Sequence, residues 1–131
     1  MGSVKIDIHE KERTLNGRYA LDSADGVKRL LRDYHALCER RYAGDYAASD
    51  ILIDLDTVIK RAGLTDRQRQ ALRLVYVGQY RQTEAADKLG VSKQTVNRLI
   101  SVATTKIARV FESWARMGEG YSLTVETEGE R

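Results

Sequence analysis

The sequence predicts an all-α chain, an N-terminal helical hairpin followed by a helix-turn-helix whose last helix is long. Three observations carry this. Pro is absent from all 131 residues, so nothing in the chain forces a helix to break. Apolar residues recur at spacings of three and four over most of its length, the period of an amphipathic helix. The third is residues 82–100, QTEAADKLGVSKQTVNRLI, where two short helical patterns meet at a Gly.

The elements follow in order. Residues 1–24 are expected to form a flexible arm. Val4, Ile6 and Ile8 alternate with polar residues as in a short strand, but the chain offers that strand no partner. Residues 25–63 form the hairpin. Its first helix spans 25–42, capped by Asp25, with Val27, Leu30, Leu31, Tyr34, Leu37, Cys38 and Arg41 as one stripe. Gly44 and Asp45 break the chain. The second helix covers about 47–62 and buries Ala48, Ile51, Leu52, Leu55, Val58, Ile59 and Ala62. Asp50, Asp54 and Asp56 lie off that face, and a solvated acidic surface explains them better than an acid–base pair.

Gly63 ends the hairpin, and residues 64–117 form the helix-turn-helix unit. Thr65 with Gln68 three later is a capping-box pattern, and Ala71, Leu72, Val75 and Tyr76 make the buried face of the helix it opens. Gly78, Gln79 and Tyr80 turn the chain. In the motif itself, Ala85, Ala86 and Leu89 face inward, and Gly90 ends the first helix in a left-handed conformation. Ser92 caps the second helix, which buries Val96 and Leu99 and presents Lys93, Gln94, Thr95, Asn97 and Arg98 outward. That helix continues through Ile107, Phe111 and Trp114 to a stop at Met117-Gly118, about 36 Å in all. Only its first two turns can reach bases; the rest must pack on the N-terminal helices or on another protomer. Residues 118–131 are expected to form an acidic flexible tail.

Charge is distributed unevenly. The net charge is +3, yet residues 1–63 hold 11 basic and 11 acidic side chains, residues 64–116 hold 10 and 4, and residues 117–131 hold 1 and 4. Positive charge thus coincides with the motif, the footprint of phosphate binding. A plain helical hairpin would not need a basic, amide-rich outer face. The chemistry of the side chains suits a major groove: Lys93 or Arg98 can donate to guanine O6 and N7, Gln94 or Asn97 can pair with adenine, and Thr95 can meet a thymine methyl. Arg81, Lys88, Ser92, Arg67, Arg69 and Arg73 are the candidate phosphate contacts.

Other classes are disfavoured. His9 and His35 have no second ligand at metal-like spacing, and no nucleophile–base pair or phosphate loop is present. No catalytic residue, metal or cofactor is expected, and the chain is not expected to be an enzyme. The single Cys cannot form an internal disulfide, no run of about 18 apolar residues offers a membrane span, and the N-terminus lacks a signal-peptide core. A cytoplasmic, nucleoid-associated location is expected.

From Leu64 to Ile107, LTDRQRQALRLVYVGQYRQTEAADKLGVSKQTVNRLISVATTKI, the chain resembles the fourth region of sigma-70-family factors. The Leu-Thr-x-Arg-x-x-x-x-Leu opening and LGVS followed by a polar triplet and Val carry the likeness, which extends to the DNA-binding end of LuxR-type regulators. The long apolar continuation after Val96 is the sigma-like feature. The resemblance implies that Lys93, Gln94, Thr95, Asn97 and Arg98 face double-stranded DNA, at the positions that meet a promoter's −35 element. Gln94 stands where many members carry Glu, so the resemblance transfers no −35 preference. Nothing in residues 1–63 looks like the promoter-melting domain of a complete sigma factor. A helical N-terminal half joined to such a motif is similar to phage and prophage regulators of the ArpU type, in a bacterial or phage-infected bacterial cell. The expected function is therefore a sequence-specific transcription regulator. RNA polymerase is a candidate second partner and a homodimer the expected assembly. The alternatives are a phage small terminase-like DNA-recognition subunit and a helix-turn-helix protein adaptor.

Overall fold

The computed structural model of the chain describes residues 19–117, and these are all-helical, with no strand among them. Six helices follow one another: α1 (Ala24–Arg32), α2 (Tyr34–Tyr42), α3 (Tyr46–Arg61), α4 (Asp66–Leu72), α5 (Gln82–Leu89) and α6 (Lys93–Arg116). The strand pattern at Val4, Ile6 and Ile8, His9 and the acidic tail at 118–131 lie outside the described residues.

The flexible arm expected over 1–24 does not hold at its end. Tyr19 and Leu21 are buried in the core, and the Tyr19 hydroxyl donates to Asp33 Oδ2 at 2.7 Å. Two apolar side chains before the first helix thus dock on it, a signal too short to show as a periodicity. Ser23, not Asp25, caps α1: its hydroxyl accepts from the Gly26 amide at 3.1 Å. Asp25 sits in the first turn, where its charge suits the positive end of the helix.

The helix expected over 25–42 is two helices. At Asp33 the backbone leaves helical values (φ −86°, ψ 4°), and its carboxylate is held by Tyr19. One residue of offset leaves the apolar stripe nearly continuous: Val27, Leu30, Leu31 and Leu37 are buried, Tyr34 and Cys38 half-buried. Arg41, included in that stripe, is exposed. Asp45 then caps α3, accepting from the Ala48 amide at 3.2 Å and from Arg40 Nε at 3.2 Å. Those two donors hold its carboxyl below the usual carboxylate range. The expected face of α3 is found, with Ala48, Ile51, Leu52, Leu55 and Val58 buried.

The Thr65–Gln68 capping box forms as its spacing implies. α4 then widens into a π-helical turn, Arg73–Val77, closed by the Gly78 amide on the Arg73 carbonyl at 2.8 Å. His35 Nε2 lies 2.8 Å from the Val77 carbonyl oxygen, so this nitrogen carries the proton and ties α2 to that turn.

One core joins both halves of the chain. α6 packs against α1, α3, α4 and α5, with Val96, Ile100, Ala103, Thr104, Ile107, Ala108 and Phe111 buried along it. The long helix therefore finds its cover inside one chain. Thr104 is tolerated at full burial because its hydroxyl donates to the Ile100 carbonyl at 2.8 Å.

Candidate nucleic-acid interface

The turn between α5 and α6 is built from three local devices. Gly90 takes φ +69° and ψ 34°, which costs a residue without Cβ nothing. The Val91 amide then reaches back to the Ala86 carbonyl at 3.0 Å, the six-to-one bond of a Schellman ending. Ser92 turns extended, and its hydroxyl accepts from the Thr95 amide at 3.1 Å. At the start of α5, the Glu84 carboxylate accepts from the Arg81 amide at 2.8 Å. Ala85 and Ala86 are buried against α6, and their small side chains let the two helices approach.

Lys93, Gln94, Thr95, Asn97 and Arg98 are all exposed on the first two turns of α6. Gln94 and Arg98 are four apart and share one face. The Thr95 hydroxyl lies 2.9 Å from that of Ser92 and so is engaged at the cap. Asn97 sits on a different flank. It lines a cleft of about 520 Å³ between α1 and the helix-turn-helix, together with Lys28, Arg32, Gln79 and Gln82. Tyr76 borders the same cleft; burial pushes its hydroxyl pKa up, and the nearby Arg32 guanidinium opposes that shift.

The six candidate phosphate residues fall into two groups. Arg81, Lys88 and Ser92 lie in the helix-turn-helix and are exposed. Lys88 Nζ sits 4.7 Å from the Tyr80 ring centre, a cation–π contact that restrains it. Ser92 spends its hydroxyl on the cap. Arg67, Arg69 and Arg73 lie before the motif, on α4 and the π-helical turn. Arg67 donates to the Leu89 carbonyl at 2.8 Å, satisfying the end of α5 and bracing the turn. Arg69 pairs with Asp66 at 3.0 Å. Arg69 and Arg73 also line a groove of about 500 Å³ whose other walls come from α1, α2, α3 and the π-helical turn, with no residue of α5 or α6. The fold does not gather these two with the outward face of α6.

Lys106 adds to the positive count of the segment but is turned to structure. Its ammonium donates to Gln68 Oε1 at 3.1 Å and to the Gly63 carbonyl at 3.3 Å, fastening α6 to the start of α4. Lys28 and Arg32 also line the cleft beside Asn97, where nothing in the sequence pattern placed them. They are four apart on α1, in a segment whose charges sum to zero, and only the packing of α1 on α6 brings them beside Asn97. Among the described residues no group of three or more His, Cys, Asp or Glu could hold a metal ion, and no helix is long and apolar enough to cross a membrane.

Residues 62–109 match the family model of sigma-70 region 4, a stretch of less than half the chain. A UPF0251 protein of Syntrophobacter fumaroxidans is 39% identical over 66 residues, which cover 50% of this chain and 38% of that protein. The chain thus matches under two-fifths of the length of this curated relative. No solved structure matches. The family match and the geometry agree on a helix-turn-helix similar to sigma-70 region 4 over this segment.

Proposed function

We propose that the chain is a sequence-specific transcription regulator that reads double-stranded DNA with the first two turns of α6. The observation that carries this is the exposed set Lys93, Gln94, Thr95, Asn97 and Arg98 on a helix rigidly launched by Gly90 and Ser92. Four of these are cationic or amide side chains that match base edges and Thr95 offers a methyl group for thymine, and the launching turn is braced from outside the motif by Arg67. Arg81 and Lys88 supply phosphate contacts alongside. The likeness to sigma-70 region 4 favours action at promoters with RNA polymerase as a further partner, and the likeness to ArpU-type regulators favours a phage or prophage setting. One module of this size buries about 600–1,000 Å² on DNA, so tight binding calls for a homodimer or for help from polymerase.

Selection from a random duplex pool with the purified protein tests this, with Arg98→Ala as control. Recovery of a defined motif, relaxed in the variant at one base position by about 1–3 kcal/mol, is expected. The spacing of repeated half-sites would then report a dimer. An enriched motif that Arg98→Ala leaves unchanged contradicts the assignment of Arg98 as a base reader.

A further inference from the structure

We propose that the cleft between α1 and the helix-turn-helix is a backbone-phosphate site, with Lys28 and Arg32 as its donors, so that the N-terminal helices extend the DNA footprint. This rests on the DNA-binding reading above. The cleft joins elements far apart in sequence. Lys28 and Arg32 come from α1, Gln79 and Gln82 from the bend and first residue of α5, and Asn97 from α6. No acidic residue lines it. Neither Lys28 nor Arg32 forms an ion pair among the described residues, so two positive charges stand beside each other without a carboxylate between them. That arrangement is self-repelling until an anion enters.

The position of the cleft selects which anion. A helix of about 10–12 Å diameter fills a major groove about 12 Å wide, so phosphates run along both of its flanks. Gln94 and Arg98 form the crest of α6, whereas Asn97 lies on the flank that faces α1. The strand passing that flank runs over the mouth of the cleft, where Gln82 at the start of α5 offers a further amide. Lys28 and Arg32 thereby hold the duplex in register without contacting a base.

The test is the salt dependence of binding. Fluorescence anisotropy of a labelled random-sequence duplex is followed between 50 and 200 mM KCl for the natural chain and for Lys28→Gln/Arg32→Gln. Each lost phosphate contact lowers the logarithmic slope by about 0.9, so the double variant should lose about tenfold less affinity across that range than the natural chain. Its selected motif should be unchanged, and Lys28→Arg/Arg32→Lys should restore the slope. Lys28→Gln alone, with about half the effect, covers the case in which the double variant melts early. A natural-chain slope in both Gln variants overturns the phosphate site while leaving the DNA reading intact. A natural chain that binds no duplex at any salt overturns both.

Discussion

Gly90 and Ser92 set the direction of α6, and each does so by one property. At φ +69° Gly90 has open space where a Cβ would be, so the conformation alone disfavours other residues. Gly90→Ala is therefore expected to cost about 1 kcal/mol and Gly90→Asn less, because Asn tolerates the left-handed region; urea unfolding measures both. Equal losses would mean that packing, not backbone conformation, selects Gly here. These residues were legible in the sequence because their roles are local: a positive φ, a cap three residues ahead of its amide. Arg67, Arg69, Arg73 and Lys106 were not. Their charge was visible, but whether a cation faces a phosphate, a carbonyl such as that of Leu89, or a carboxylate such as Asp66 depends on partners up to 43 residues away in sequence.

The helices themselves were mostly readable, and the exceptions share a cause. α3, α5 and α6 have unbroken apolar stripes and ends marked by Gly or a capping side chain, and their bounds fall within a residue or so of expectation. The break at Asp33 left the stripe in phase, so periodicity could not reveal it. The docking of residues 19–21 was hidden for the opposite reason, since two apolar residues make no period. Gly26 holds that contact. A Cβ on Gly26 would overlap the carbonyl oxygens of Tyr19 and Ala20, which are backbone and cannot rotate away. Gly26→Ala is expected to expel Tyr19 and Leu21 from the core and lower stability by about 2–3 kcal/mol. A variant within about 0.5 kcal/mol of the natural chain in urea unfolding would show that this docking contributes little.

At the scale of the molecule, the two halves that sequence reasoning drew apart share one core. α6 is the common member: its first turns carry the outward polar set, and Ile100, Ile107 and Phe111 farther along are buried in the core that α1, α3 and α4 complete. The N-terminal helices therefore position the outward face of α6 and do more than accompany it. Charge segregation along the chain singled out the half that carries the helix-turn-helix, yet it gave Lys28 and Arg32 no weight, because a segment average cannot register which of its charges the fold moves beside α6. The central claim is that DNA meets the α5–α6 face, and backbone-amide NMR titration with a short duplex at low salt tests it most directly. The predicted result is that shift changes concentrate at residues 79–98, with a second set at 28–32, while α2 and α3 stay still. Changes centred on residues 34–61, with 92–98 unmoved, would contradict it.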